Sequence, residues 1–186
     1  MTYDPTQDFP FLKDTEPRID RYRDQAIITI FGAYQEPYDN RLEKLRDFLQ
    51  TNEFKKTHLV RDYTFPERNP QLTDAQNDKL QSQYWIQNSD VLIWVFFKNS
   101  DNTGVGNEFG ELPFLGIDRL WRSAVFLESD DLENPIISRM IRATLDTYKR
   151  IQAYPFHTNN DSMLQSQAVG ILPSFILQLL EDLKRR

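Results

Sequence analysis

Apolar residues along this chain fall into short blocks separated by polar, turn-forming stretches. The clearest block is Val91 to Phe97, an unbroken apolar run rich in β-branched and aromatic side chains. Such a run predicts a strand buried on both faces, as in a parallel sheet. Ala26 to Phe31 (AIITIF) predicts another buried strand, ending at Gly32. Thr57 to Tyr63 holds a short second strand, and Ser123 to Leu127 (SAVFL) a fourth. Ile151 to Phe156 is a fifth, which Pro155 confines to a sheet edge because proline cannot donate to the ladder.

Between these blocks the period changes to that of a helix. Tyr38 to Asn52 places Leu42, Leu45, Phe48 and Leu49 on one face. A proline-containing loop covers Phe65 to Leu72. A helix then starts at Thr73, with Gln76 three residues on in a capping-box arrangement, and runs to about Gln87. A short helix is expected to end near Gly116. Pro135 to Lys149 turns Ile137, Met140, Ile141, Leu145 and Tyr148 inward. Asp161 to Lys184 reads as helical at least in part, and Pro173 should kink or split it. Strand and helix alternate, which predicts the α/β class: a doubly wound, mainly parallel five-stranded sheet with helices on both faces. Residues 1–24, with Pro5, Pro10 and Pro17, read as an N-terminal arm that Phe9, Phe11 and Leu12 could pin to the body. Residues 25–186 form one domain.

Composition narrows the partners. With 186 residues, 39% hydrophobic and 27% charged, the chain suits one folded domain. A net charge of −6 argues against general nucleic-acid binding, which needs a basic surface. The Lys184-Arg185-Arg186 ending complements a helix C-terminus instead. No uninterrupted apolar run approaches the roughly 20 residues that span a bilayer, so no membrane is expected. The acidic, polar start is unlike a signal peptide, and a cytoplasmic location is the default. There is no cysteine, hence no disulfide, thiolate metal site or cysteine nucleophile.

The candidate chemistry follows the central strand. After a polar loop, Lys98 to Thr103, comes Gly104-Val105-Gly106-Asn107-Glu108-Phe109-Gly110. Its glycines allow tight turning and close approach of a ligand. A helix is expected to open here with Glu108 in its first turn. Ligands of open α/β sheets bind outside the carboxyl ends of the strands, where Glu108 would lie. Glu108 is then either a nucleophile or a first-turn carboxylate favoured by the helix dipole. Gly32 and Ala33 suit ligand contact and tight turning equally. Tyr34 could stack on a base or pack on the Glu36-Pro37 loop. Asp62 and Tyr63 could line the same cleft. Asp90 reads as a turn residue, Glu111 as a solvated one, and Trp85, Trp94 and Trp121 as core or interface. His58 and His157 are too far apart in sequence for a local metal motif. His157 either reaches the cleft or only meets solvent. No metal-ligand cluster, phosphate-binding P-loop or serine elbow occurs, and no cofactor is expected.

Three segments together resemble the nucleoside 2-deoxyribosyltransferases: Thr29-Ile30-Phe31-Gly32-Ala33, Asn88-Ser89-Asp90-Val91-Leu92-Ile93 and Gly104 to Gly110. Their order and spacing agree from about Ala26 to Gly116. The resemblance implies a flavodoxin-like fold for residues 25–186, an architecture shared with TIR-like and SLOG-like nucleotide-processing domains. It implies that Glu108 attacks the anomeric carbon and holds a covalent glycosyl ester, with chemistry akin to retaining glycosidases. Gly32, Ala33, Tyr34, Asp62, Asp101, Asn102, Gly104 and Gly106 would surround a small-molecule nucleoside or nucleotide. It also implies a homo-oligomer with sites shared between subunits, to which the 13% aromatic content adds. Three departures stand out. Asn102, beside Asp101, occupies the position of a family aspartate. Ser82 falls near a second family aspartate, with Asp78 one turn earlier. The C-terminal residue that a neighbouring subunit contributes has no match. The expected function is cleavage or transfer at an N-glycosidic bond through a glutamate nucleophile. The alternatives are a non-catalytic nucleotide-binding or interaction module and a TIR-like NAD hydrolase.

Overall fold

Burying five apolar blocks together satisfies their backbone groups only if they pair, and they pair into one sheet. The structure is a computed structural model that describes residues 19–20, 22–63, 66–135, 137–149 and 151–184. The strands are Ile28–Phe31 (β1), Thr57–Leu59 (β2), Val91–Phe96 (β3), Ser123–Ser129 (β4) and Gln152–His157 (β5). All pair in parallel, in the order β2-β1-β3-β4-β5. The helices are Tyr38–Thr51 (α1), Asp74–Asn88 (α2), Thr103–Leu115 (α3), Ile117–Trp121 (α4), Arg139–Thr147 (α5) and Asp161–Lys184 (α6), and Val60–Asp62 forms a 3-10 turn.

The two-residue period of β3 explains the layering. Val91, Ile93 and Val95 face one side, where Leu42, Leu45 and Leu49 of α1 and Leu164, Ala168, Leu172 and Ile176 of α6 cover them. Leu92, Trp94 and Phe96 face the other side, under Ile86 of α2, Phe109 and Leu112 of α3 and Ile141 of α5. This is a flavodoxin-like, doubly wound α/β fold. Its strand order reverses between β1 and β3, so their carboxyl ends open a crevice there.

Several elements differ from the sequence reading. The second strand is shorter, because the chain turns into the 3-10 segment after Leu59. The helix expected from Pro135 starts at Arg139, capped by the Ser138 hydroxyl, which accepts from the Ile141 N–H. Met140 is 41% exposed rather than inward. Most notably, α6 runs unbroken through Pro173. Proline removes one helical hydrogen bond, but Leu164, Ala168, Leu172, Ile176 and Leu179 are buried along the length of this helix and hold it together across the gap. By length and composition alone, Asp161–Glu181 is apolar enough to cross a membrane, and here one stripe of it packs on the sheet. β5 with Pro155 is an edge strand, paired only with β4. The arm's Phe9, Phe11 and Leu12, and the ending Arg185-Arg186, lie outside the described residues.

Candidate active site

The crevice is built from the two strand ends. β1 stops at Phe31, and Gly32 follows where α1 comes closest: a Cβ there would lie 2.8 Å from Leu42 Cδ1. Any larger residue at this point would have to displace the buried Leu42 side chain. Tyr34 then folds back. Its hydroxyl donates to the Ile30 carbonyl at 2.7 Å and accepts from the Val60 N–H at 3.1 Å. The residue is 38% exposed while its hydroxyl is hydrogen-bonded on both sides, and burial holds the phenol far above its ordinary pKa.

Beyond β3 the chain closes a tight loop. The Asn102 amide donates to the Phe97 carbonyl at 2.7 Å, and its oxygen accepts from Ser100 Oγ at 2.8 Å. The side chain of Thr103 and its N–H, at 3.0 Å, both hydrogen-bond the exposed Asp101 carboxylate and lower its pKa. α3 therefore opens at Thr103, earlier than the glycine segment, and Glu108 falls in its second turn. The dipole effect fades after the first turn, so it does not account for a carboxylate there.

Two cavities meet at Glu108. The smaller, about 460 Å³, is walled by Gly32, Ala33, Tyr34, Arg61, Arg68 and Asp101 on the sheet side. The larger, about 900 Å³, lies between α2 and α5 and includes Ile86, Glu111, Met140 and Tyr148. Asp78, Ser82, Gly104 and Glu108 line both. At Gly104 a Cβ would meet nothing within 4 Å, so the space beside it is open to a ligand.

Glu108 is half-buried, and the loss of water raises its pKa above the usual glutamate value. The neighbouring carboxylates of Glu111 and Asp78 push in the same direction, while a hydrogen bond with the Ser82 hydroxyl opposes them. Both neighbours are held by cations. Lys79 Nζ reaches Glu111 at 2.7 Å, with Gln83 Nε2 at 3.3 Å, and this depresses the Glu111 pKa. Arg68 bridges Asp78 at 3.0 Å and Asp74 at 3.1 Å. Arg61 pairs with Asp39 and Glu43 and lies 5.9 Å over the Tyr34 ring. Glu108 is left as an acid in a polar, partly dry setting without a cation of its own among these pairs.

The structure thus gathers Gly32, Ala33, Tyr34, Asp101, Gly104 and Glu108 around one cavity. It does not bring Asp62, Asn102 or Gly106 to that wall. The Asp62 carboxylate is gripped by Arg46 at 3.0 and 3.2 Å and accepts from the Leu59 N–H at 3.0 Å. Asn102 is spent inside its own loop. Gly106 is buried under Met140, whose Cε would lie 3.3 Å from a Cβ. Tyr63 does line the cavity, its ring stacked 3.3 Å from Trp85 and its phenol pushed up to about 12 by burial. Asp90 accepts from the Ile27 N–H at 2.9 Å, a structural tie next to the start of β3. The His58 ring lies tilted against Tyr63, with centroids 4.9 Å apart, and burial lowers its pKa.

Arg61 and Arg68 were not singled out in the sequence, because they come from irregular segments with no periodic signal. Asp78, Lys79, Ser82 and Gln83 have one: spacings of one and four place them on a single face of α2. No protein-family model matches the chain, and no curated protein matches it. What stands is a flavodoxin-like α/β protein with a half-buried glutamate where two cavities join at the switch point.

Proposed function

We propose that this protein cleaves or transfers at the N-glycosidic bond of a small-molecule nucleoside or nucleotide, with Glu108 as nucleophile. The observation that carries the reading is the position of that carboxylate, shared by two cavities at the carboxyl ends of β1 and β3. A volume of about 460 Å³ lies within the ordinary range for small-molecule pockets. One carboxylate oxygen attacks the anomeric carbon as the carbon–nitrogen bond breaks, and the bond's electron pair leaves with the base. The resulting glycosyl ester then passes its sugar to water or to a second base. Glu108→Gln keeps the shape of the side chain and cannot form that ester. Base release should fall by several orders of magnitude while ligand binding persists. Chromatography of nucleosides, nucleotides and NAD with and without an acceptor base reads this directly, and undiminished turnover in the variant would overturn it.

A specific observation favours a second reading, a nucleotide-binding module without turnover. Asn102 stands where the resemblance expects an aspartate, and its side chain is committed to Phe97 and Ser100 instead of the cavity. Ligand-induced stabilisation of the wild type with no base released from any of these substrates would support that reading. We also propose a homo-oligomer. Leu80, Phe114 and Met140 are exposed on α2, α3 and α5, and Phe114 is 88% exposed.

A further inference from the structure

We propose that the ligand of this site carries a phosphate, which Arg68 recognises in the smaller cavity while the base enters the larger one. The inference rests on the nucleoside-or-nucleotide reading of the site, with or without turnover, and names which of the two it takes. Among the described residues, Arg61 and Arg68 are the cations that line the smaller cavity, and Lys79 is the one that lines the larger. Arginine presents a planar fork that matches phosphate oxygens in pairs, whereas lysine is a point charge. The larger cavity is bordered by Ala75, Ile86, Met140 and Ala143, an apolar lining that suits a flat base. Glu108 lines both cavities, so the sugar that joins phosphate to base would lie beside it.

The two arginines differ in how firmly they are held. Arg61 is gripped through both terminal nitrogens by Asp39 and Glu43 of α1. The Asp39 side chain is only 17% exposed, so letting it go would strand a largely buried charge. Arg68 reaches Asp74 and Asp78 through Nη2, and those side chains are 94% and 64% exposed. Exposed pairs of this kind contribute little, and water takes over both carboxylates when the guanidinium turns to a ligand. A phosphate offers paired, charge-assisted bonds in exchange. The backbone next to Arg68 is fixed, by contrast. Asn77 of α2 is 8% exposed, accepts from the Asn69 N–H at 2.8 Å, and donates to the Asn69 and Thr73 carbonyls at 3.1 and 3.2 Å. Asn69 Oδ1 in turn accepts from the Gln71 N–H at 2.9 Å. The loop is thus pinned directly after Arg68, which lowers the cost of ordering it around a ligand. Asp78, Asp101 and Glu108 share the cavity wall and repel an anion, which confines the phosphate to the arginine end.

Calorimetric titration tests this without turnover. The probes are the common ribo- and 2′-deoxyribonucleosides, their 5′-monophosphates, and inorganic phosphate. The best monophosphate should bind about 10- to 100-fold more tightly than its own nucleoside. Arg68→Ala should remove most of that difference and leave nucleoside affinity unchanged. Asp74→Asn takes away a competitor that lies outside both cavities, and it should tighten the monophosphate about threefold without affecting the nucleoside. Equal affinity for nucleoside and monophosphate overturns the proposal. So does a loss in Arg68→Ala that is the same for both, which would mark a purely structural role. Inorganic phosphate binding as tightly as the monophosphate also overturns it, since the base would then add nothing. Arg68-dependent preference for the monophosphate in a protein that releases no base upholds the proposal and rejects the nucleophile reading alone. Base release from nucleoside and monophosphate with equal kcat/KM rejects the proposal and keeps the nucleophile. Failure of every probe to bind overturns both.

Discussion

Arg41 Nη2 meets Glu128 Oε1 at 2.7 Å, with the carboxylate side chain 2% exposed. The same carboxylate accepts from the Lys98 N–H at 3.1 Å and the Asn159 N–H at 2.8 Å. Arg41 Nε reaches Asp161 at 2.7 Å, and the guanidinium lies 4.4 Å over Phe97. One buried cluster therefore ties α1 and α6 to the carboxyl ends of β3, β4 and β5. Arg41→Leu leaves the Glu128 charge uncompensated and should cost about 3–5 kcal/mol. Pairing it with Glu128→Leu should recover much of that loss. Urea unfolding of the single and double variants decides the matter. Equal losses would mean that packing, not stranded charge, sets the cost.

Glu108 should make the fold less stable as pH rises. Its folded pKa lies above the ordinary glutamate value, so the native state binds the proton more tightly than the unfolded chain. Stability is then greatest below the ordinary glutamate pKa and falls as pH climbs through the folded value. Glu108→Gln removes this loss. The variant should match wild type in acid and exceed it near neutrality, the pattern of a site that trades stability for function. Thermal melts across pH 4 to about 8 test it, and a gap of constant size would contradict the linkage.

Restoring the aspartate that the resemblance expects should not restore a site. Asn102→Asp deletes the amide that donates to the Phe97 carbonyl at 2.7 Å and sets a carboxylate against that oxygen. The loop before α3 should lose about 1–3 kcal/mol. Chemical denaturation measures the loss, and a gain in base exchange at undiminished stability would show that the side chain turns to the cavity after all.

Self-association is read from Phe114. Sedimentation at micromolar concentration should give an oligomer, a symmetric dimer being the simplest closed form. Phe114→Asp should shift it toward monomer with little change in fold stability, since the ring is 88% exposed. A wild-type monomer at high micromolar concentration rejects the assembly.

Much of the fold was legible because burial between two helical layers leaves no freedom in composition. A strand such as Val91–Phe96 must be apolar on both faces, and it reads so. Thr73 and Gln76 announced the start of α2, and the capping box forms as the spacing predicts. Pro173 does not split α6, because the cost of a missing hydrogen bond is local, whereas α6 is held by residues spread along its whole length.

The sequence by itself determined the alternation of elements, the two-faced burial of the central strand and the presence of a glycine-flanked glutamate after it. These depend on periodicity and near neighbours. Only the tertiary structure decided which polar groups face that glutamate. Asp62 turns to Arg46 and Asn102 to Phe97, while Asp78 and Ser82, from another helix, line the same cavities as Glu108. A short polar side chain takes whichever partner the packed backbone brings within about 3 Å. That distance exists only once helices remote in sequence have docked on the same sheet.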